Sequence, residues 1–123
     1  MIKVFAAMGA LFGMLSVALG AFGAHGLRDK VEPRMIEVWQ TASQYNMSHA
    51  LALLAAAWLL SKTQHVGAQV AGWAFMIGIF LFSGSLYAMV LTGIKKLGAI
   101  TPLGGVAFII GWIALMIAAT KLP

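Results

Sequence analysis

From Val4 to Ala24 the chain carries no charged residue. A run of about 21 residues is long enough to cross the hydrocarbon core of a bilayer as one helix. It is also longer than the apolar core of a cleavable signal peptide, a role that Lys3 and the small-residue string Gly20-Ala21-Phe22-Gly23-Ala24 would otherwise fit, so it reads as a retained first helix. Two further uncharged runs follow, Val70–Thr92 and Pro102–Thr120. Hydrophobic residues make up 62% of the 123 and charged residues 9%, where soluble domains carry roughly 25% charged residues. So few charges cannot cover a water-facing surface, and hydrocarbon is the simplest alternative solvent. The net charge of +5 sits in short clusters between the apolar runs. That pattern fits loops facing anionic lipid head groups and argues against a nucleic-acid partner. The chain has no cysteine, which excludes disulfides and thiolate metal sites.

The reading that follows is an all-α, polytopic membrane protein. It is a single domain over residues 1–123, an antiparallel bundle of four transmembrane helices at about 4–24, 33–60, 70–92 and 102–120. Pro33 and Pro102 suit the first turn of a helix, where a missing N–H costs nothing. Short connections make consecutive helices antiparallel neighbours. Helix two departs from the pattern. Its first half, from Trp39 to His49, is polar, and its apolar half, Ala50 to Leu60, is too short to span alone. The polar half therefore needs shielding by protein. Small residues recur at three-four spacing in helix one (Gly9, Gly13, Ser16, Gly20, Gly23) and helix four (Gly104, Ala107, Gly111, Ala114, Ala118), as in tightly packed membrane helices. Trp39, Trp58 and Trp73 lie near span ends, where interfacial anchors sit. Arg28, Lys30, Arg34, Lys95 and Lys96 flank loops one and three, against Lys3, Lys62 and Lys121 at the other side. The positive-inside rule then places loops one and three in the cytoplasm and both termini outside.

Few polar residues lie within the spans. Counting about 1.5 Å per residue from the helix ends puts Ser16, Ser48, His49, Ser83 and Ser85 at similar depths, with Asn46 and Tyr87 close by. Thr41, Tyr45, Ser48 and His49 share one side of helix two. A mid-membrane polar layer of this kind can relay protons or hold a small solute. It can equally fix helix register by interhelical hydrogen bonds, which is the commoner use of such residues. His49 is the best functional candidate. His25, at the end of helix one, lies too far along a straight hairpin to share a metal with His49, and two histidines fall short of a ligand set. No metal or other cofactor is expected. Beyond Glu37 near the start of helix two, no acid lies within a span, so no catalytic residues can be assembled and an enzyme is not expected.

The strings Gly20-Ala21-Phe22-Gly23-Ala24-His25-Gly26-Leu27, Trp39-Gln40-Thr41-Ala42 and His49-Ala50-Leu51 resemble the small bacterial YgdD/YwdK membrane proteins. So do Phe82-Ser83-Gly84-Ser85-Leu86-Tyr87, Thr101-Pro102-Leu103-Gly104-Gly105 and Gly111-Trp112, in the same order and over nearly the whole chain. The resemblance implies a four-span protein of the bacterial inner (plasma) membrane, with relatives in animals. It supplies no activity and no established site residues, because that family is a domain of unknown function. The expected role is a non-enzymatic accessory or scaffold protein in contact with membrane lipids, associating with itself or a larger membrane complex. The alternative is a transporter or channel for a small solute, protons or lipid, built around the polar layer.

Overall fold

A computed structural model describes every residue from Met1 to Pro123. The chain is all-helical and folds into four rods. The first is α1, Ile2–His25, and the second α2, Pro33–Thr63. The third is continuous but changes pitch: α3, Val66–Gly78, passes through a π-helical segment, Ile79–Gly84, into α4, Ser85–Thr92. A 3-10 turn at Lys95–Ala99 leads into the fourth rod, α5, Thr101–Ala119. Three rods, Ile2–His25, Val66–Thr92 and Lys95–Ala119, are long and apolar enough to cross a membrane, with hydropathies of 2.0, 2.0 and 2.1. The polar half of α2 keeps that rod out of this group, although it is the longest single helix at 31 residues.

Local chemistry sets the ends. Pro33 and Pro102 occupy the first turns of α2 and α5, where the lost donor is harmless. α2 runs to Thr63, and α3 starts at Val66, four residues before the sequence-based start. The cause is His65, whose Nδ1 accepts the Gly67 N–H at 2.9 Å and caps the new helix. Gln64 makes the reversal in a left-handed conformation (φ 53°), and Gly93 closes α4 the same way (φ 74°).

Contacts along the rods fix their directions. Leu54 packs on Gly9, Ser43 on Gly20 and Trp39 on Gly23, so α1 and α2 run antiparallel. Trp39 meets Tyr87, Tyr45 meets Phe82 and His49 meets Phe75, which sets the third rod antiparallel to α2. Phe108 seats on Gly78 and Phe75 on Gly111, doing the same for α5. At Gly104 two backbones approach most closely: a Cβ there would meet the backbone of Leu81 and Phe82. The rods succeed one another as a zigzag, with α2 and the third rod inside and α1 and α5 outside. Accordingly 56% of the apolar stretch of Val66–Thr92 is buried, against 22% for each outer rod. The outer faces carry exposed Met14, Val17, Ile109, Ile113 and Met116.

Two apolar clusters fill the inside. The larger joins Phe5, Phe12, Leu53, Phe75 and Phe108 through a floor of alanines from α2 and α3. The smaller joins Leu27, Trp39 and Val90 near the α1–α2 loop. Trp39 is therefore no interfacial anchor. It is 1% exposed, its indole N–H donates to the Leu19 carbonyl at 2.6 Å, and its ring meets Tyr87 edge-on at 4.6 Å. Gly23 leaves the space that its ring occupies. Trp58 and Trp73, at 54% and 44% exposed, stay on the surface as expected.

Candidate functional site

The polar residues of α2 are sorted by the way the helix turns. A stripe at three-four spacing, Trp39, Ser43, Asn46, Ala50, Leu53, Ala57 and Leu60, is buried throughout. One flank turns His49 toward α5. The opposite edge, Glu37, Gln40, Gln44 and Ser48, is exposed along its whole length.

His49 is 5% exposed and held from several sides. Its Nδ1 lies 2.8 Å from the Tyr45 carbonyl oxygen, and its Nε2 lies 3.0 Å from Nε1 of Trp112. An indole nitrogen can only donate and a carbonyl oxygen only accept. One species satisfies both, the neutral imidazole with its proton on Nδ1. Phe108 stacks flat on the ring at 3.5 Å and 9°, and Phe75 closes another side at 5.7 Å. This is a packed histidine, both nitrogens of which already have protein partners.

The single polar layer expected from depth resolves into separate groups. Ser83 donates to the Ala42 carbonyl at 2.7 Å, and Ser43 shares a 2.8 Å hydrogen bond with the Tyr87 hydroxyl, tying the third rod to α2. Ser85 donates to Phe82 and lies 2.6 Å from the Thr101 hydroxyl, tying α4 to α5. Ser16 and Asn46 are buried between α1 and α2, and neither Ser16 Oγ nor Asn46 Oδ1 has a partner. Ser48 does not belong with these. It is exposed and donates to the Gln44 carbonyl of its own helix at 3.0 Å. The cause is geometric: one residue is a 100° turn, so a His49 that faces α5 sends Ser48 outward. Tyr45 is 43% exposed and stacks outside His49 and against Phe82. His25 is exposed in the last turn of α1. By the α1–α2 register it lies about 18 Å in depth from His49, and no three His, Cys, Asp or Glu side chains gather anywhere as a metal site.

Ser43 is absent from the polar layer read from the sequence, although the three-four stripe that begins at Trp39 places it inside. Trp112 and Phe108, which meet α2, and Thr101, which meets Ser85 of α4, were not singled out as site residues, because nothing local marks which α5 residues face a neighbouring rod. The exposed edge is the other finding. The α1–α2 register sets Gln40 level with Gly23, Gln44 with Leu19 and Ser48 with Leu15, which lies near the middle of α1. Polar groups thus stand uncovered level with the inner part of α1, and the Gln40 and Gln44 amides make no hydrogen bond within the chain. Beside them a cleft of about 500 Å³ separates α2 from α5, with Tyr45, His49, Phe108 and Trp112 in its walls.

Residues 19–105 match a family model described as a protein of unknown function (DUF423). The chain is 53% identical to the UPF0382 membrane protein YwdK of Bacillus subtilis over 120 residues, covering 97% of this chain and 98% of that protein. UPF0382 membrane proteins of Staphylococcus aureus and Staphylococcus epidermidis are 52% and 50% identical over 119 residues, covering 97% of each chain. No solved structure matches. The match extends over both the glycine-lined helix pairs and the polar half of α2, and the chain belongs to this DUF423/UPF0382 family of membrane proteins of unknown function.

Proposed function

We propose that the protein is a non-enzymatic accessory or scaffold component of the bacterial inner (plasma) membrane. It spans that membrane four times and assembles with a second copy of itself along the polar edge of α2. One observation carries the reading: the Gln44 amide is exposed and unbonded, level with Leu19 of apolar α1, in a chain whose other outer faces are apolar. Hydrocarbon offers an amide nothing to bond, and unsatisfied backbone-like polar groups there cost several kcal/mol. A glutamine carries both a donor and an acceptor, so two copies related by a twofold axis satisfy each other. Hydrogen bonds between membrane helices contribute about 0.6–2 kcal/mol each, and the Gln40–Gln44–Ser48 edge offers several. A proton relay centred on His49 is disfavoured, because the Trp112 and Tyr45 bonds use both of its ring nitrogens.

Single-molecule photobleaching of fluorophore-tagged protein in lipid vesicles tests this. Two-step bleaching is expected for the native chain and one-step bleaching for Gln40→Leu/Gln44→Leu. A native chain that is monomeric at all protein-to-lipid ratios, with no co-purifying partner after gentle extraction, sinks the proposal.

A further inference from the structure

The third rod and α1 approach each other mainly through long side chains. Phe5 meets Trp73 and Phe12 meets Phe80, each edge-on, at 5.4 and 5.5 Å. Between them and α2 lies a cavity of about 120 Å³. Its walls are apolar, Phe12, Leu15 and Phe80 among them, and its floor holds Asn46 and Ser83. Asn46 is 3% exposed and its Oδ1 has no partner. Ser83 sends its proton to the Ala42 carbonyl, which leaves its oxygen free to accept. No charged residue lines the space. Four of the lining residues, Ile79, Phe80, Ser83 and Gly84, belong to the π-helical segment, and π turns within helices gather at functional sites. Gly84 borders open space: a Cβ there would touch only the Ile79 carbonyl, at 3.8 Å. Phe80, at the mouth, is 60% exposed on the face that lipid covers.

We infer that this cavity is a binding site for a small, neutral, hydroxylated ring compound that enters from the bilayer. Size sets the class, since an apolar cavity of about 150 Å³ takes a benzene-sized guest. Phe12 and Phe80 offer ring edges and faces to a ring. The polar floor selects the head group. A hydroxyl both donates and accepts, the Asn46 amide presents either end by rotation about χ2, and Ser83 supplies a second acceptor. The absence of charge in the lining excludes an ionised ligand, whose burial here has no counter-ion.

The test is ¹⁹F NMR of 4-fluorophenol and fluorobenzene added to the intact chain in lipid nanodiscs, with empty nanodiscs as the partition control. The native chain gives a bound 4-fluorophenol signal that empty discs lack. Gly84→Ile, which fills the cavity without touching its floor, abolishes it. Asn46→Leu weakens 4-fluorophenol by about tenfold, the effect of one lost hydrogen bond to a buried group, and leaves fluorobenzene unchanged. Asn46→Ala gives the same readout should the leucine variant not fold. The inference is overturned if no bound signal appears. It is equally overturned if the signal survives Gly84→Ile, or if the Asn46 variants bind 4-fluorophenol like the native chain because Ser16 and Asn46 close on each other instead.

Discussion

At the scale of single residues, His49 and Asn46 show how differently a membrane protein treats its buried polar groups. His49 is fully engaged, and the direction of its bonds fixes its tautomer. Nitrogen NMR of the His49 ring is expected to show a protonated Nδ1 and an unprotonated, hydrogen-bonded Nε2; the opposite tautomer contradicts the Trp112 contact. Trp112→Phe keeps an aromatic ring at this half-exposed position and removes the N–H donor together with the five-membered ring. It should cost about 0.6–2 kcal/mol, the usual range for a hydrogen bond between membrane helices. His49→Ala should cost about 2–4 kcal/mol, because it also empties the space against Phe108 and leaves the indole unpaired. Reversible unfolding in mixed micelles measures both, and equal losses would mean that the ring stack contributes nothing. Asn46 is the contrast, because its oxygen has no partner to lose. Asn46→Leu is therefore expected to leave stability within about 1 kcal/mol of native or to raise it. A loss as large as that of His49→Ala would show that the amide is bonded in the folded state after all. That His49 would lie among the buried polar groups was legible from the sequence, since a histidine in a near-chargeless chain stands out. Its partner Trp112 was not, because the contact joins residues 63 apart in sequence and depends on the phase of α5.

At the scale of elements, the spacing of small residues carried most of the packing. The stripe on α5 meets the third rod at Gly104, Gly111, Ala114 and Ala118, and Phe108 takes the inward place next to half-buried Ala107. Spacing alone does not say which glycines touch something, and here the structure separates them. A Cβ at Gly104 would lie 2.8 Å from the Leu81 carbonyl carbon, whereas Gly105 and Gly13 have nothing within 4 Å. Gly104→Ala should cost about 1–3 kcal/mol by overpacking against rigid backbone. Gly105→Ala and Gly13→Ala should be neutral or gain up to about 1 kcal/mol in helix propensity. The same unfolding measurements decide it; a Gly105→Ala loss as large as that at Gly104 would mean that α5 is rotated from the orientation described. The π-helical segment had no sequence signature. Phe82-Ser83-Gly84-Ser85 reads as ordinary membrane helix, and within the wider turn Ser83 reaches the Ala42 carbonyl of α2. Polar α2 was legible as an anomaly needing cover. The cover proved partial: its stripe from Trp39 is shielded within the chain, and its Gln40–Ser48 edge is not.

At the scale of the whole molecule, the fold gathers the basic residues unequally at its two ends. The Ser85–Thr101 and Trp39–Tyr87 contacts hold one end together, and with it Arg28, Lys30, Arg34, Lys95 and Lys96. Phe5 against Trp73, and Gly67 against Ala114 and Ala118, mark the other end, with Lys3, Lys62 and Lys121. Orientation by positive charge predicts that the first end faces the cytoplasm. The proposed crossing of α2 is the step to measure, because three rods are apolar enough to span by composition and a crossing by α2 would rest on packing against them. The absence of native cysteine makes this directly measurable. Asp29→Cys before α2 and Gln64→Cys after it leave every basic residue in place. With a membrane-impermeant thiol reagent on intact cells, Gln64→Cys should label at once and Asp29→Cys only after permeabilisation. The reverse pattern would invert the orientation and leave the four crossings intact. Labelling of both from one side would mean that α2 does not cross. Gln44 would then face water or head groups, and the pairing of two copies through its amide would lose its physical basis.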